Sequence, residues 1–165
     1  MREERRRSAS SQRRTTGNVA LPSQLDISGC IPSKIESISP CVDRLMQEIT
    51  KSKCVAGKEE DMELALLEAV GNAVIHGNLE NPEKEVYIHC HSRKRGGLLI
   101  AVKDEGNGFD PREWENSPAA DGDSEHGRGI LPMRVYMDRV RYSRSGSAVY
   151  LSKRGQSAKE NREKT

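Results

Sequence analysis

With 165 residues, 34% of them hydrophobic, 4% aromatic and 32% charged, the chain is long enough for one domain with an aliphatic core and flanking tails, and two full domains would be cramped. The longest uncharged apolar run, Leu98 to Val102, is far short of the roughly 20 residues of a membrane helix. The basic start Met1 to Arg14 leads into Thr, Gly and Asn rather than a signal-peptide core, so a soluble, cytoplasmic protein is expected.

The net charge of +2 conceals an uneven distribution. Residues 1–20 carry six Arg against two Glu and residues 152–165 five basic side chains against two Glu, which leaves 16 basic and 21 acidic residues over 21–151. An acidic body argues against a nucleic-acid-binding core. The expected organisation is a disordered basic tail over 1–20, a folded domain over 21–153 and a second disordered tail over 154–165.

In chain order, Gln24 to Ile31 alternates Leu25, Ile27 and Gly29 and predicts a strand. Ser33 with Glu36 has the spacing of a capping box. Ser39-Pro40 predicts a helix start, with Ser as N-cap and Pro at the first helical position, and Val42, Leu45, Met46 and Ile49 follow helical spacing behind it. Gly57 ends that segment. A second helix is predicted from Glu59 to about His76, with acids in its first turn where the helix dipole favours them, an apolar face of Leu64, Leu67, Gly71 and Val74, and Gly77-Asn78 as its stop. Strands are predicted over 85–92 and 97–103, and a long loop over 104–127. A third helix runs from about Gly129 to Met137, and a closing hairpin joins Arg139–Tyr142 to Ala148–Lys153 around Ser145-Gly146. A loop of that length inside a compact domain points to function or to a misplaced element. The order β-α-α-β-β-loop-α-β-β predicts an α+β, two-layer fold, with helices on one face of a mixed, mostly antiparallel sheet.

Cys30, Cys41, Cys54 and Cys90 form no CxxC pair, so reduced thiols are expected. His89-Cys90-His91 invites a metal reading, but successive strand residues face opposite ways, which puts the two His on one face and Cys90 on the other.

Three motifs carry chemistry. In Glu68-x-x-x-Asn72-x-x-x-His76-Gly77-Asn78 the polar residues recur every four positions, drifting about 40° per step around a helix. Alone, this stripe is equally a solvated face. An amide oxygen such as that of Asn72 is a hard ligand suited to Mg²⁺, and a carboxylate one turn away can deprotonate a hydroxyl that attacks a phosphate. The second motif, Asp104-Glu105-Gly106-Asn107-Gly108-Phe109-Asp110-Pro111, follows a strand directly. Its glycines permit a tight turn and close approach to a flat ligand, and Asp104 can accept from an exocyclic amine such as adenine N6. Alone it is equally a plain turn. It lacks the third glycine of a dinucleotide fingerprint and the alternating acids of a calcium loop. The third motif, Gly127-Arg128-Gly129-Ile130, opens a helix, where backbone N–H groups and an Arg suit an anion.

In this order and spacing the three motifs resemble the nucleotide-binding boxes of the Bergerat-fold ATPases, the superfamily of gyrase and the histidine kinases. Residues 60–152 are similar more narrowly to the anti-sigma factor serine/threonine kinase family, on Glu68-Ala69-Val70-Gly71-Asn72-Ala73-Val74-Ile75-His76-Gly77, on 104–111, and on Gly127-Arg128-Gly129-Ile130 with Met137-Asp138-x-Val140 behind. The resemblance implies ATP and Mg²⁺ as cofactors. Asn72 would hold the metal, Glu68 would act as general base on a protein hydroxyl, and Asp104 would read adenine. Gly106 and Gly108 would shape its pocket, and Ser147 would lie near the base. Residues 112–129, with Gly127, Arg128 and Gly129, would form a lid over the phosphates. His126 departs from the pattern, standing where a glycine is common. The implied partners are a sigma factor and a small antagonist protein, exchanged by partner switching. Relatives commonly form homodimers. The alternative class is a binding module that uses ATP as a conformational ligand without phosphoryl transfer.

Overall fold

A computed structural model describes residues 24–94, 96–112 and 130–155, with the backbone alone at 130–132. Strand β1 (Asp26–Pro32) leads through a 3₁₀ turn (Ile35–Ser37) to helix α1 (Ile38–Ser52), then α2 (Glu59–Asn72), β2 (Glu85–Ser92), β3 (Leu98–Lys103), α3 (Ile130–Tyr136), β4 (Arg139–Tyr142) and β5 (Ala148–Lys153). The strands lie in the order β1-β2-β3-β5-β4, and all four pairings are antiparallel, so the sheet contains no parallel pair among the described residues.

Alternation along the central strands places Val86, Ile88 and Cys90 of β2, Leu98, Ile100 and Val102 of β3, and Leu151 of β5 in the core. The helices cover that face with Val42, Leu45 and Ile49 of α1, Met62, Leu66 and Val70 of α2, and Met133 of α3, in one continuous cluster. Each fully buried aliphatic side chain contributes about 1.5–3 kcal/mol. The other face of the sheet carries Tyr87 and the two histidines. His89 lies 2.8 Å from Asp26, and its ring stands 5.2 Å from that of His91. Cys90 points into the core, where burial pushes its thiol up to about 12. Cys90 therefore points away from the two histidines, which share a face as the alternation predicts.

Three local expectations are corrected. Ser33 forms no capping box: it is fully buried, and its hydroxyl donates to the Val74 carbonyl at 3.4 Å. Helix α1 begins at Ile38 with Ser37 as N-cap and no side-chain capping bond, so Pro40 takes the third helical position, where its missing N–H still costs no intrahelical bond. The buried face of α2 is Met62, Ala65, Leu66, Ala69 and Val70, whereas Leu64 is 44% exposed and Leu67 only partly buried. Of the predicted face, Val74 alone is fully buried.

Lys153, at the end of β5, is 7% exposed and points among the helices. Its ammonium donates to Asp61 in the first turn of α2 at 2.8 Å and to the carbonyl of Tyr136, the last residue of α3. One side chain thus ties the sheet to both helices that flank the candidate site. Lys153→Met keeps the aliphatic stem and removes the donors, and is expected to lower stability by about 1–3 kcal/mol. A thermal melt indistinguishable from that of the unaltered chain would show that the tie contributes nothing.

Candidate functional site

The site begins where α2 changes its winding. From Ala73 to Gly77 the helix widens to a π-turn, with Asn78 N–H donating to the Ala73 carbonyl at 2.9 Å. Such turns recur at functional sites. This one carries Asn72, Ala73, His76 and Gly77 to the wall of a cavity of about 420 Å³. A plain α-helix to His76 is the expectation corrected here, because a single wide turn leaves no periodic trace in the sequence. Beyond it Leu79 and Glu80 both take positive φ, at 56° and 54°, and Leu79 lies on the cavity rim.

Val102, Met133, Ala148 and Val149 give the cavity an apolar side. Asp104, one residue past β3, puts a carboxylate into it at 8% exposure. Its N–H donates to the Ser147 carbonyl at 3.0 Å, and its Oδ1 accepts from Gly106 N–H at 2.8 Å. Burial holds the Asp104 carboxyl above its ordinary value, against the downward pull of those backbone donors and of Lys84 and Lys103. A buried acceptor in an apolar slot suits a heteroaromatic ligand that brings its own N–H donor.

Glycines make room for this carboxylate. A Cβ at Gly77 would overlap the Asp104 side chain, and one at Gly106 would overlap the Gly77 carbonyl. The end of α2 and the loop after β3 therefore cross at backbone contact. Gly108, at φ 70°, and Gly146, at φ 71°, repeat the device between that loop and the β4–β5 turn: a Cβ on the first would strike Ser145 O, and one on the second the Phe109 backbone. Gly106→Ala is expected to cost about 1–3 kcal/mol through overpacking and to disturb the cavity with it. Paired melting and ligand-binding measurements check both effects, and a variant as stable as the unaltered chain would contradict the close crossing.

The fully buried Asn78 links the same elements, its Oδ1 accepting from Glu105 N–H at 2.8 Å and its Nδ2 donating to the Glu85 carbonyl at 2.9 Å. Reading Gly77-Asn78 as a helix stop and Ser145-Gly146 as a hairpin turn missed these supports. The signal present was the Gly-Asn and Ser-Gly pairs themselves, which a turn explains equally well.

Of the sequence-derived candidates, Asn72, Asp104 and Gly108 line one cavity, and Gly106 packs behind Asp104. Glu68 is not a lining residue. It lies one turn before Asn72 on α2, half-buried, and burial raises its carboxyl above the ordinary value. Ser147 reaches Asp104 only through its carbonyl, while its hydroxyl pairs with that of Ser145 at 2.9 Å. Gly127, Arg128 and Gly129, with lid positions 113–129, lie outside the described residues. Among the described residues no three His, Cys, Asp or Glu side chains converge as a metal site. The Asn72 amide fits a hard cation that takes its remaining ligands from phosphates and water.

A one-faced α+β sandwich with a slot between a helix end and a strand end is the build of a histidine kinase-like ATPase domain, and the family model for that domain matches residues 31–153. The anti-sigma F factor of Priestia megaterium is 31% identical over 118 residues, which cover 68% of this chain and 74% of the relative. That of Halalkalibacterium halodurans is 32% identical over 118 residues, covering 68% and 73%. The structure of a mycobacterial sensor histidine kinase, MprB, matches at TM-score 0.48 and 16% identity, over 78% of this chain and 99% of its own. The chain belongs to the histidine kinase-like ATPase family and, within it, to the anti-sigma factor serine/threonine kinase family. No helix among the described residues is long and apolar enough to cross a membrane.

Proposed function

We propose that the protein is a cytoplasmic, ATP- and Mg²⁺-dependent anti-sigma regulator that phosphorylates a serine or threonine hydroxyl of a small antagonist protein and alternately sequesters a sigma factor. The observation that carries this reading is the buried Asp104 carboxylate in a slot cleared by Gly77 and Gly106, with Asn72 on the same cavity wall and Glu68 one turn further along α2. The matching relatives bear the name anti-sigma F factor, which supports the partner assignment.

Each residue has a separable task in this reading. Asp104 accepts from the exocyclic amine of adenine, and Val102 and Met133 lie along the apolar side of the base. Gly108 keeps the slot narrow, and the Ser147 carbonyl holds the backbone of Asp104 in place. Asn72 supplies an oxygen to the cation. Bound ATP·Mg²⁺ supplies the transferable phosphoryl group. Glu68 takes the proton from the attacking hydroxyl, and its location beside the cavity rather than in it leaves the cavity to the nucleotide and the approach to the protein substrate. Gly127, Arg128 and Gly129 would close over the phosphates from the lid.

The test combines two measurements on the purified protein: nucleotide affinity by calorimetry, and transfer of radiolabelled phosphate from ATP to the cognate antagonist, with sigma-factor capture followed with and without ATP. Binding, transfer and ATP-dependent capture together are the expected result. Capture that depends on ATP without any transfer would assign the protein to the non-enzymatic binding modules instead. No affinity for ATP would refute both.

A further inference from the structure

One residue of the cavity wall, Tyr142, carries a buried polar group to which the reading above gives no task. Tyr142 ends β4 and pairs with Val149, which pairs in turn with Val102, so the three side chains form a row across the helix-facing side of the sheet. All three line the cavity, as does Asp104, two residues beyond Val102 on that same side. The Tyr142 hydroxyl is buried and has no hydrogen-bond partner among the described residues. An orphaned buried hydroxyl costs about 1–3 kcal/mol, and native structures rarely tolerate one without a reason.

Its ring is held where it stands. Phe109 packs against it edge-on, with centroids 5.1 Å apart and planes at 69°. Phe109 is fixed in turn by the close passage of Gly146, where any side chain would strike its backbone. Burial pushes the phenol up to about 12, against a downward pull from Arg134, so at neutral pH it keeps its proton and is available as a donor.

We propose that Tyr142 is a specificity-determining residue of this cavity, donating its hydroxyl proton to a ring nitrogen of the bound base. The inference rests on the nucleotide reading and deepens it. Asp104 demands a donor from the ligand and Tyr142 demands an acceptor, and a base with an exocyclic amine and unprotonated ring nitrogens offers both. Neither the resemblance nor the spacing of the motifs pointed to this residue, which lies outside all three.

Tyr142→Phe removes one oxygen and keeps the aromatic contact. ATP affinity is expected to fall roughly 3- to 10-fold, while the melting temperature of the nucleotide-free protein holds or rises, since an unsatisfied buried group has been removed. Titrations with 1-deaza-, 3-deaza- and 7-deaza-ATP, each lacking one ring nitrogen, locate the acceptor. One analogue should bind weakly to the unaltered protein, and Tyr142→Phe should lose nothing further with that analogue alone. Unchanged ATP affinity in the variant, fully additive losses with all three analogues, or a lowered melting temperature showing an internal partner for the hydroxyl, would each overturn the assignment. If the unaltered protein binds no ATP, the nucleotide reading falls as well, an outcome distinct from a failure confined to Tyr142.

Discussion

Glu68→Gln is expected to lower phosphoryl transfer to the antagonist by a factor of roughly 10²–10⁴, the usual contribution of a general base, while nucleotide affinity and sigma-factor capture stay within experimental error. Asn72→Ala, one turn further along α2, should fail differently, losing a cation ligand and with it both affinity and every nucleotide-dependent interaction. The contrast has a structural basis: Asn72 lines the cavity and Glu68 does not. Burial raises the Glu68 carboxyl above its ordinary value, so the base loses its proton later than an exposed glutamate. The acid limb of the transfer rate in the unaltered protein should therefore lie at higher pH than an exposed glutamate would give, and the residual rate of the Gln variant should lack that limb. Equal transfer rates for the two proteins would remove Glu68 from the role of base and leave the cavity untouched.

The order of the elements was legible because strand alternation and helical spacing leave strong periodic marks, and every predicted strand lies within two residues of an observed one. The inner face of α2 was misread for a physical reason. Apolar residues ring this helix, and its buried side is built from Ala65, Ala69 and Ala73 beside Met62, Leu66 and Val70, so small side chains let it pack closely while the outer Leu64 and Leu67 mimic a core stripe. The misplaced caps have a different cause. Ser33 resembles a capping residue locally, but its partner is a carbonyl 41 positions away. Within the site, Asn72, Asp104, Gly106 and Gly108 stood out because the three motifs in their order and spacing resemble nucleotide-binding boxes, whereas each motif alone was equally a solvated face or a turn. Gly77, Asn78, Tyr142 and Gly146 did not, because each acts across a crossing of segments that only the folded chain brings together. Gly77 illustrates the limit: its φ is not positive, so its value lies in the space left for the Asp104 carboxylate.

Asp104→Asn is expected to weaken ATP binding by roughly 10- to 150-fold, the range for a lost hydrogen bond to a charged group, without lowering the stability of the protein. The Asn amide can keep the bond from Gly106 N–H through its Oδ1, which turns its NH₂ toward the slot, where a donor meets the donor of the base amine. Stability should respond in the opposite sense, as linkage requires. Burial raises the Asp104 carboxyl above its unfolded value, so between the two values the native state binds more protons than the unfolded one. The contribution of this group to stability is thus fully present below the unfolded value and is lost as pH rises through the folded one. At neutral pH the buried charge is a burden, which Asn removes. The nucleotide-free variant should therefore melt at or above the temperature of the unaltered protein near pH 7, and its advantage should shrink as pH falls into the carboxylate range. Ligand affinity of the unaltered protein should fall over that same range, because a protonated Asp104 accepts poorly from an amine. Discrimination against GTP, whose carbonyl oxygen would face the carboxylate, should narrow in the Asn variant. Calorimetric titration of both proteins with both nucleotides at two pH values measures all of this, and equal ATP affinities at pH 7 would take Asp104 out of base recognition.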